Sequence, residues 1–189
     1  YLDVLMIRND DHKQLKKLAR LNVIPMINGL SNFSHPCQIL SDIFTIEEFF
    51  SKIENTSISW LGDFNNVLIS LIHSAEIFNF NLNIIVPNSI LNKSKKIFKI
   101  KNLKNIKVTN DLDKGLKSAN CVMTDVWVSM GEKNSKNKKN ILKKFQVNEN
   151  VMKKANKNAI FMHCLPAHRN EEVTNSVLDG SRSVVWQQA

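Results

Sequence analysis

Short apolar runs alternate with amphipathic stretches along the whole of this 189-residue chain, and that alternation admits few architectures. Residues 2–8, 23–28, 57–62, 82–86, 106–109, 121–124, 159–163 and 184–186 read as strands. Residues 10–21, 35–53, 65–78, 93–100 and 111–118 read as helices, and a Lys-rich stretch over 133–144 reads as a solvated loop running into an exposed helix. Strands and helices at this interval make βαβ units, so the expected fold is α/β with a doubly wound, Rossmann-like parallel sheet. Several strands are apolar throughout, as strands covered on both faces must be. In the helix over 65–78, Val67, Leu68, Leu71, Ile72 and Ala75 share one stripe at helical spacing and should face the core.

Composition narrows the class further. No run approaches the roughly 18 apolar residues of a membrane span. The three cysteines, Cys37, Cys121 and Cys164, are odd in number and show no C-x-x-C spacing. That argues against a disulfide framework or a structural zinc site, and for a reducing cytosol. The formal net charge is +9, yet only four cations are Arg, the rest being Lys in a chain also rich in Asn and Ile. Compositional drift explains that trio better than nucleic-acid binding, which favours Arg interleaved with aromatics. The charge does favour small anionic substrates. The chain opens on Tyr1 and closes beyond a strand-like Ser183-Val184-Val185-Trp186, which suggests a piece of a longer protein.

In a doubly wound sheet, ligands sit off the carboxyl ends of the strands, where helix N-termini point. Four such junctions are polar in a specific way. In Ser34-His35-Pro36-Cys37-Gln38, Pro36 suits a first helical turn, and His35 and Gln38 share a face. Free N–H groups and the dipole end there suit an anion or a polarised carbonyl; the alternative is a Ser34 cap beside an ordinary surface histidine. Gly62-Asp63-Phe64-Asn65-Asn66 is not a dinucleotide fingerprint. Asn65 can cap the following helix and Asn66 would project at its N-terminus, or both are merely capping residues. Asp125, four residues before Ser129-Met130-Gly131, suits an ammonium, while Ser129 and the backbone beside Gly131 can donate to a carboxylate. Together they look like a receptor for an amino acid's zwitterionic end; the alternative is a turn in which Asp125 pairs a nearby lysine. In His163-Cys164-Leu165-Pro166-Ala167-His168-Arg169, a thiol ends a strand among cationic neighbours that would favour thiolate. A metal held by His163 and Cys164 is disfavoured, because adjacent strand side chains point to opposite faces.

Taken in order, H-P-C-Q, W-L-G-D-x-N-N, D-x-W-x-S-M-G and H-C-L-P-A-H-R resemble the ornithine carbamoyltransferases, within the aspartate/ornithine carbamoyltransferase family. The likeness runs from Arg8 to Trp186. It implies that residues 1–53 are the end of a carbamoyl phosphate-binding domain plus an inter-domain helix, and that residues 54–189 are a C-terminally truncated ornithine-binding domain. It also implies roles. Arg8, His35, Gln38, Cys164 and Leu165 match carbamoyl phosphate ligands. Asn66, Asp125, Ser129 and Met130 match positions that hold ornithine, and Cys164, Asp125 and His35 carry the chemistry, with Cys164 as a thiolate proton acceptor. The family needs no metal and no organic cofactor, works in the cytoplasm without nucleic acid or membrane, and commonly forms trimers through its first domain. Its phosphate clamp, Ser-x-Arg-Thr-Arg, has no counterpart in this sequence. The isolated chain is therefore expected to be inactive. The competing readings are a carbamoyltransferase for another amine, a cysteine-nucleophile hydrolase built on Cys164, and a nucleic-acid module built on residues 133–144.

Overall fold

The first two apolar runs pair with each other and not with the rest. In the computed structural model, which describes residues 1–91, 104–128 and 135–189, β1 (Leu5–Arg8) lies parallel to β2 (Met26–Leu30) as a two-stranded sheet. The crossover between them is α1 (His12–Arg20), started by the Asp11 carboxylate, which accepts from the N–H groups of Lys13 and Gln14. Helix α2 (Pro36–Phe50) follows, with Pro36 in its first turn. It buries Ile39, Ile43 and Ile46, and with them the polar Asp42 and Thr45. The expected helix over 35–53 thus ends sooner, at a Ser51 with φ of 67°, and a short 3-10 turn, Ile53–Asn55, leads on.

The remaining strands form one parallel sheet. They are β3 (Ser57–Leu61), β4 (Asn81–Ile85), β5 (Ile106–Thr109), β6 (Cys121–Thr124) and β7 (Ile160–His163). Their order across the sheet is β5-β4-β3-β6-β7. The chain builds outward from β3 to one edge, then returns to the other side of β3 and builds to the opposite edge. The order therefore reverses between β3 and β6, the switch point at whose carboxyl ends a doubly wound sheet places its ligand crevice. Register is regular: Leu61 lies opposite Thr124, and Thr124 opposite His163.

Both faces are covered, as the apolar strands demand. One face packs against α2 and α3 (Asn66–Phe78) through Trp60, Ile58, Ile84 and Met162. The other packs against α4 (Leu112–Leu116), α6 (Glu149–Lys154) and α7 (Asn175–Leu178) through Leu61, Ile85, Val122 and Phe161. Between α4 and α6 run α5 (Ser135–Leu142) and a 3-10 turn, Lys143–Phe145. Helix α3 buries the expected stripe and also Ile69, Ser70 and Ser74. The extra burial arises because α3 is covered on a second side by the Ser31–His35 loop and α2.

Two expectations need comment. The run Ser183–Trp186 is not a strand: Ser183 makes a single bridge to Phe161, and the chain then coils into a one-turn helix, α8 (Val185–Gln188). Val184 and Val185 still bury, one against each face of the sheet, so their β-branched side chains serve the core without a ladder. The helix expected over 93–100 lies outside the described residues. Among the described residues no helix is long and apolar enough to cross a membrane.

Candidate active site

The crevice between β3 and β6 gathers polar groups from five elements. After β3 the chain turns at Gly62, whose φ of 124° suits only glycine. Asn65 then starts α3, its Oδ1 accepting from the Leu68 N–H at 3.1 Å. Its Nδ2 reaches across the switch point and donates to Asp125 Oδ2 at 2.6 Å. The second Asp125 oxygen accepts from the Val126 N–H at 2.7 Å. One asparagine thus caps a helix and aims a carboxylate, so Asn65 carries more of the site than the sequence suggested. No lysine among the described residues pairs Asp125.

Cys164 follows β7 as Asp125 follows β6, and the register of the two strands sets them side by side. The Cys164 sulfur and an Asp125 carboxylate oxygen lie within 4.8 Å of each other. Burial, and then the negative charges of Asp125 and Asp42, push this thiol far above the ordinary cysteine range. The expected thiolate is therefore overturned: Cys164 is a protonated thiol at neutral pH. The cationic neighbours that suggested otherwise point elsewhere. Arg169 holds Asp179 through two bonds of 2.5 and 2.9 Å, and His168 is exposed. His163 is fully buried and bridges two acceptors, with Nδ1 2.7 Å from the Cys164 carbonyl and Nε2 3.1 Å from Glu172 Oε1.

Glu172 is a functional-site residue that the sequence did not flag. Burial alone would raise its carboxyl, but hydrogen bonds from His163 and the His168 N–H outweigh it and hold the carboxyl below its usual range. The carboxylate so clasps both ends of the loop that carries Cys164, Leu165 and a cis Leu165–Pro166 bond. Its spacing of nine residues from His163 matches neither helix nor strand, which is why no pattern exposed it. The ligand atoms of Asp125, His163 and Cys164 lie within 4.8 Å of one another, closer than strand alternation implies, because the strand stops at His163. Asp125 and His163 are already committed to the bonds just described.

The other wall comes from the N-terminal part. His35 immediately precedes α2, and its N–H donates to Ser70 Oγ on α3 at 2.8 Å. Burial, then the Arg8 charge, lower the pKa of the His35 ring, and Asp125 opposes them. The ring is thus neutral, stands within electrostatic reach of both Arg8 and Asp125, and keeps a buried Nδ1 without a partner among the described residues. Gln38 donates through Nε2 to Asp42 Oδ1 at 2.9 Å. Leu165 sits partly exposed next to Cys164. Asn66 is turned to the loop from the first sheet, donating to the Ser31 carbonyl at 2.8 Å. Ser129, Met130 and Gly131 lie outside the described residues. The Lys-rich segment is less free than expected: Lys138 pairs Asp63 at 2.5 Å at the edge of this crevice, and Lys139 pairs Glu171 at 2.5 Å.

Behind Gln38 lies a second feature that the sequence did not show. Asp42 is 1% exposed, and its Oδ1 also accepts from Gln188 Nε2 at 2.7 Å, while Oδ2 has no partner among the described residues. Burial pushes its carboxyl up to about 6, against the two amide bonds that favour its charge. Gln188 in turn accepts through Oε1 from the His163 N–H at 2.9 Å. These amides tie α2, α8 and the end of β7 together directly behind the crevice.

Comparison with known proteins places this arrangement. The model for the "Aspartate/ornithine carbamoyltransferase, Asp/Orn binding domain" matches residues 54–189, and that for the "carbamoyl-P binding domain" of the same family matches residues 1–48. The ornithine carbamoyltransferase of Nitrobacter winogradskyi is 44% identical over 100% of this chain and 62% of its own length. That of Rhodopseudomonas palustris is 46% identical, over 100% of this chain and 61% of its own. Among solved structures, the ornithine carbamoyltransferase of Pyrococcus furiosus superposes with a TM-score of 0.89 at 39% identity, over 100% of this chain and 62% of that one. The Burkholderia thailandensis structure gives 0.88 at 38% identity, over 99% and 60%. The chain thus spans about three fifths of the length of these relatives. On the strength of two family models and of relatives alike along its whole extent, the chain belongs to the aspartate/ornithine carbamoyltransferase family.

Proposed function

We propose that this chain is a large part of an ornithine carbamoyltransferase, which moves the carbamoyl group of carbamoyl phosphate to the side-chain amine of L-ornithine, giving L-citrulline and phosphate. In this reading residues 1–53 contribute to the carbamoyl phosphate wall and residues 54–189 to the ornithine wall. The full-length protein is a cytoplasmic trimer acting in arginine synthesis. The observation that carries the proposal is the facing of two sets: Asp125 with Asn65 and Cys164 on one side, neutral His35 with Arg8 on the other.

The chemistry asks two things of these groups. The attacking amine must lose its proton, since an alkyl ammonium titrates at roughly 10 in water. Cys164, held as a thiol, is not the acceptor. Its role is to donate to Asp125 and fix that carboxylate, which orients the amine toward the carbonyl carbon. The carbonyl oxygen then gains negative charge as the C–N bond forms, and the intermediate collapses by breaking the C–O bond to phosphate, which leaves with the proton shed by the attacking nitrogen. Arg8 and the His35 ring stabilise that charge, each such donor contributing about 3 kcal/mol. Gln38 and the Cys164–Leu165 segment position the carbamoyl group, and Asn66, Ser129 and Met130 hold the amino-acid end of ornithine. Neutral amine becomes more abundant as pH rises, so the rate should climb between about pH 7 and 9.

A citrulline assay tests this. The full-length protein should form citrulline from ornithine and carbamoyl phosphate, and the 189-residue chain alone should form none, for want of a phosphate clamp. A preference for putrescine or N-acetylornithine over ornithine would overturn the roles given to Asp125, Ser129 and Met130.

A further inference from the structure

Asp42 has no place in the chemistry above, yet it is an almost wholly buried carboxylate directly behind the crevice. It also touches the one glutamine assigned to the carbamoyl group. A glutamine amide is ambiguous by nature: its two ends differ only in that one donates and the other accepts. Which end meets the substrate decides whether the site selects an N–H donor or a C=O acceptor. At Gln38 that choice is made from behind. The Asp42 carboxylate, when charged, can only accept, and Gln188 approaches the same oxygen with its own Nε2 at 2.7 Å. Two amide donors converging on Oδ1 fix the orientation of both. The Nε2 end of Gln38 is thereby drawn into the protein, and Oε1 is left without a partner among the described residues.

We propose that Asp42 is a specificity-determining positioning residue, which holds Gln38 so that its amide oxygen faces the crevice as an acceptor for the carbamoyl NH2. The inference rests on the transfer reading given above and extends it. It gives the site a means of telling carbamoyl phosphate from acetyl phosphate, which has the same shape and leaving group but a methyl where the NH2 stands. An NH2 that donates to this acceptor is preferred over a methyl that cannot, since a bound methyl would cover the oxygen and leave it unpaired. Gln188 supports the arrangement by holding Asp42 in place, and its Oε1 links the same network to the β7 end beside Cys164.

The test is a comparison of carbamoyl phosphate with acetyl phosphate as donors to ornithine in the full-length protein and in Asp42→Ala and Asp42→Asn. The Asp42→Asn variant keeps an amide oxygen where Gln38 and Gln188 donate. We expect the unsubstituted protein and Asp42→Asn to prefer carbamoyl phosphate strongly, and Asp42→Ala to lose about tenfold of that preference in kcat/KM. A general structural loss would lower both donors alike and leave the ratio unmoved; an unmoved ratio in Asp42→Ala overturns the proposal. Absence of any carbamoyl transfer by the unsubstituted protein would instead sink the transfer reading, and this assignment with it. Should Asp42→Ala fail to fold, NMR of the unsubstituted chain decides. The Gln38 side-chain amide protons should exchange slowly with water, and fast exchange would show that Asp42 does not hold them.

Discussion

Cys164 shows how burial and neighbouring charge can reverse a residue's chemistry. A thiol among two histidines and an arginine reads from sequence as a thiolate. The fold buries the sulfur, turns each cation away and sets Asp125 near it, so the proton stays. The consequence is measurable at peptide level. Iodoacetamide at about pH 8 should label Cys164 far more slowly than a free thiol, because thiolate is the reactive form. Asp125→Asn removes the nearest negative charge, so it should speed that labelling. Equal rates in the two proteins would show that burial alone protects the sulfur. The motifs that named His35, Gln38, Asp125 and Cys164 were legible because each sits just past a strand or at a helix start, where local pattern marks the place. Glu172, Asp42 and Gln188 were not, because what recruits them is a bond across 9, 4 and 146 residues whose geometry only the folded chain sets.

At the scale of elements, the sheet is governed by how closely helices approach it. Helix α4 lies so near β4 that a Cβ on Gly115 would stand 2.4 Å from Ile85 Cγ1 and 2.6 Å from its Cδ1. Ser59 adds a bond of 2.7 Å to the Gly115 carbonyl, which pins the helix at that depth. Alanine is the better helix former, yet here Gly115→Ala should destabilise by about 1–3 kcal/mol through overpacking. A urea denaturation midpoint checks this, and the loss should be smaller when Gly115→Ala is made in an Ile85→Ala background. If Gly115→Ala raised the midpoint, helix propensity would outweigh the contact. The alternation of apolar and amphipathic stretches was enough to read the parallel sheet and most of its helices. It misread 183–186, where two valines look like a strand but are used one to each face of the core.

For the molecule as a whole, the question is what joins the two sheets. Besides α2 and a ring contact between Phe33 and His73, a stitch from one turn of α3 joins them. Asn66 Nδ2 donates to the Ser31 carbonyl, and Ser70 Oγ accepts the His35 N–H. The helix that begins beside Asp125 therefore also holds the histidine of the opposite wall. Ser70→Ala should cost about 1 kcal/mol. It should also speed hydrogen exchange at the His35 amide without altering exchange in β3–β7. Unchanged exchange at His35 would mean that packing alone secures the loop. No pattern in the sequence announced this stitch, since a serine inside an apolar helix looks like any tolerated small residue.

Because Thr124 stands opposite His163, the next residue of each strand, Asp125 and Cys164, becomes a neighbour by counting alone. Deleting a single residue from either strand would leave the hydrophobic layers able to re-form, yet it would swing one partner to the far side. Those two strands can trade one apolar side chain for another of like volume; their length in residues is what the pairing of Asp125 with Cys164 cannot give up.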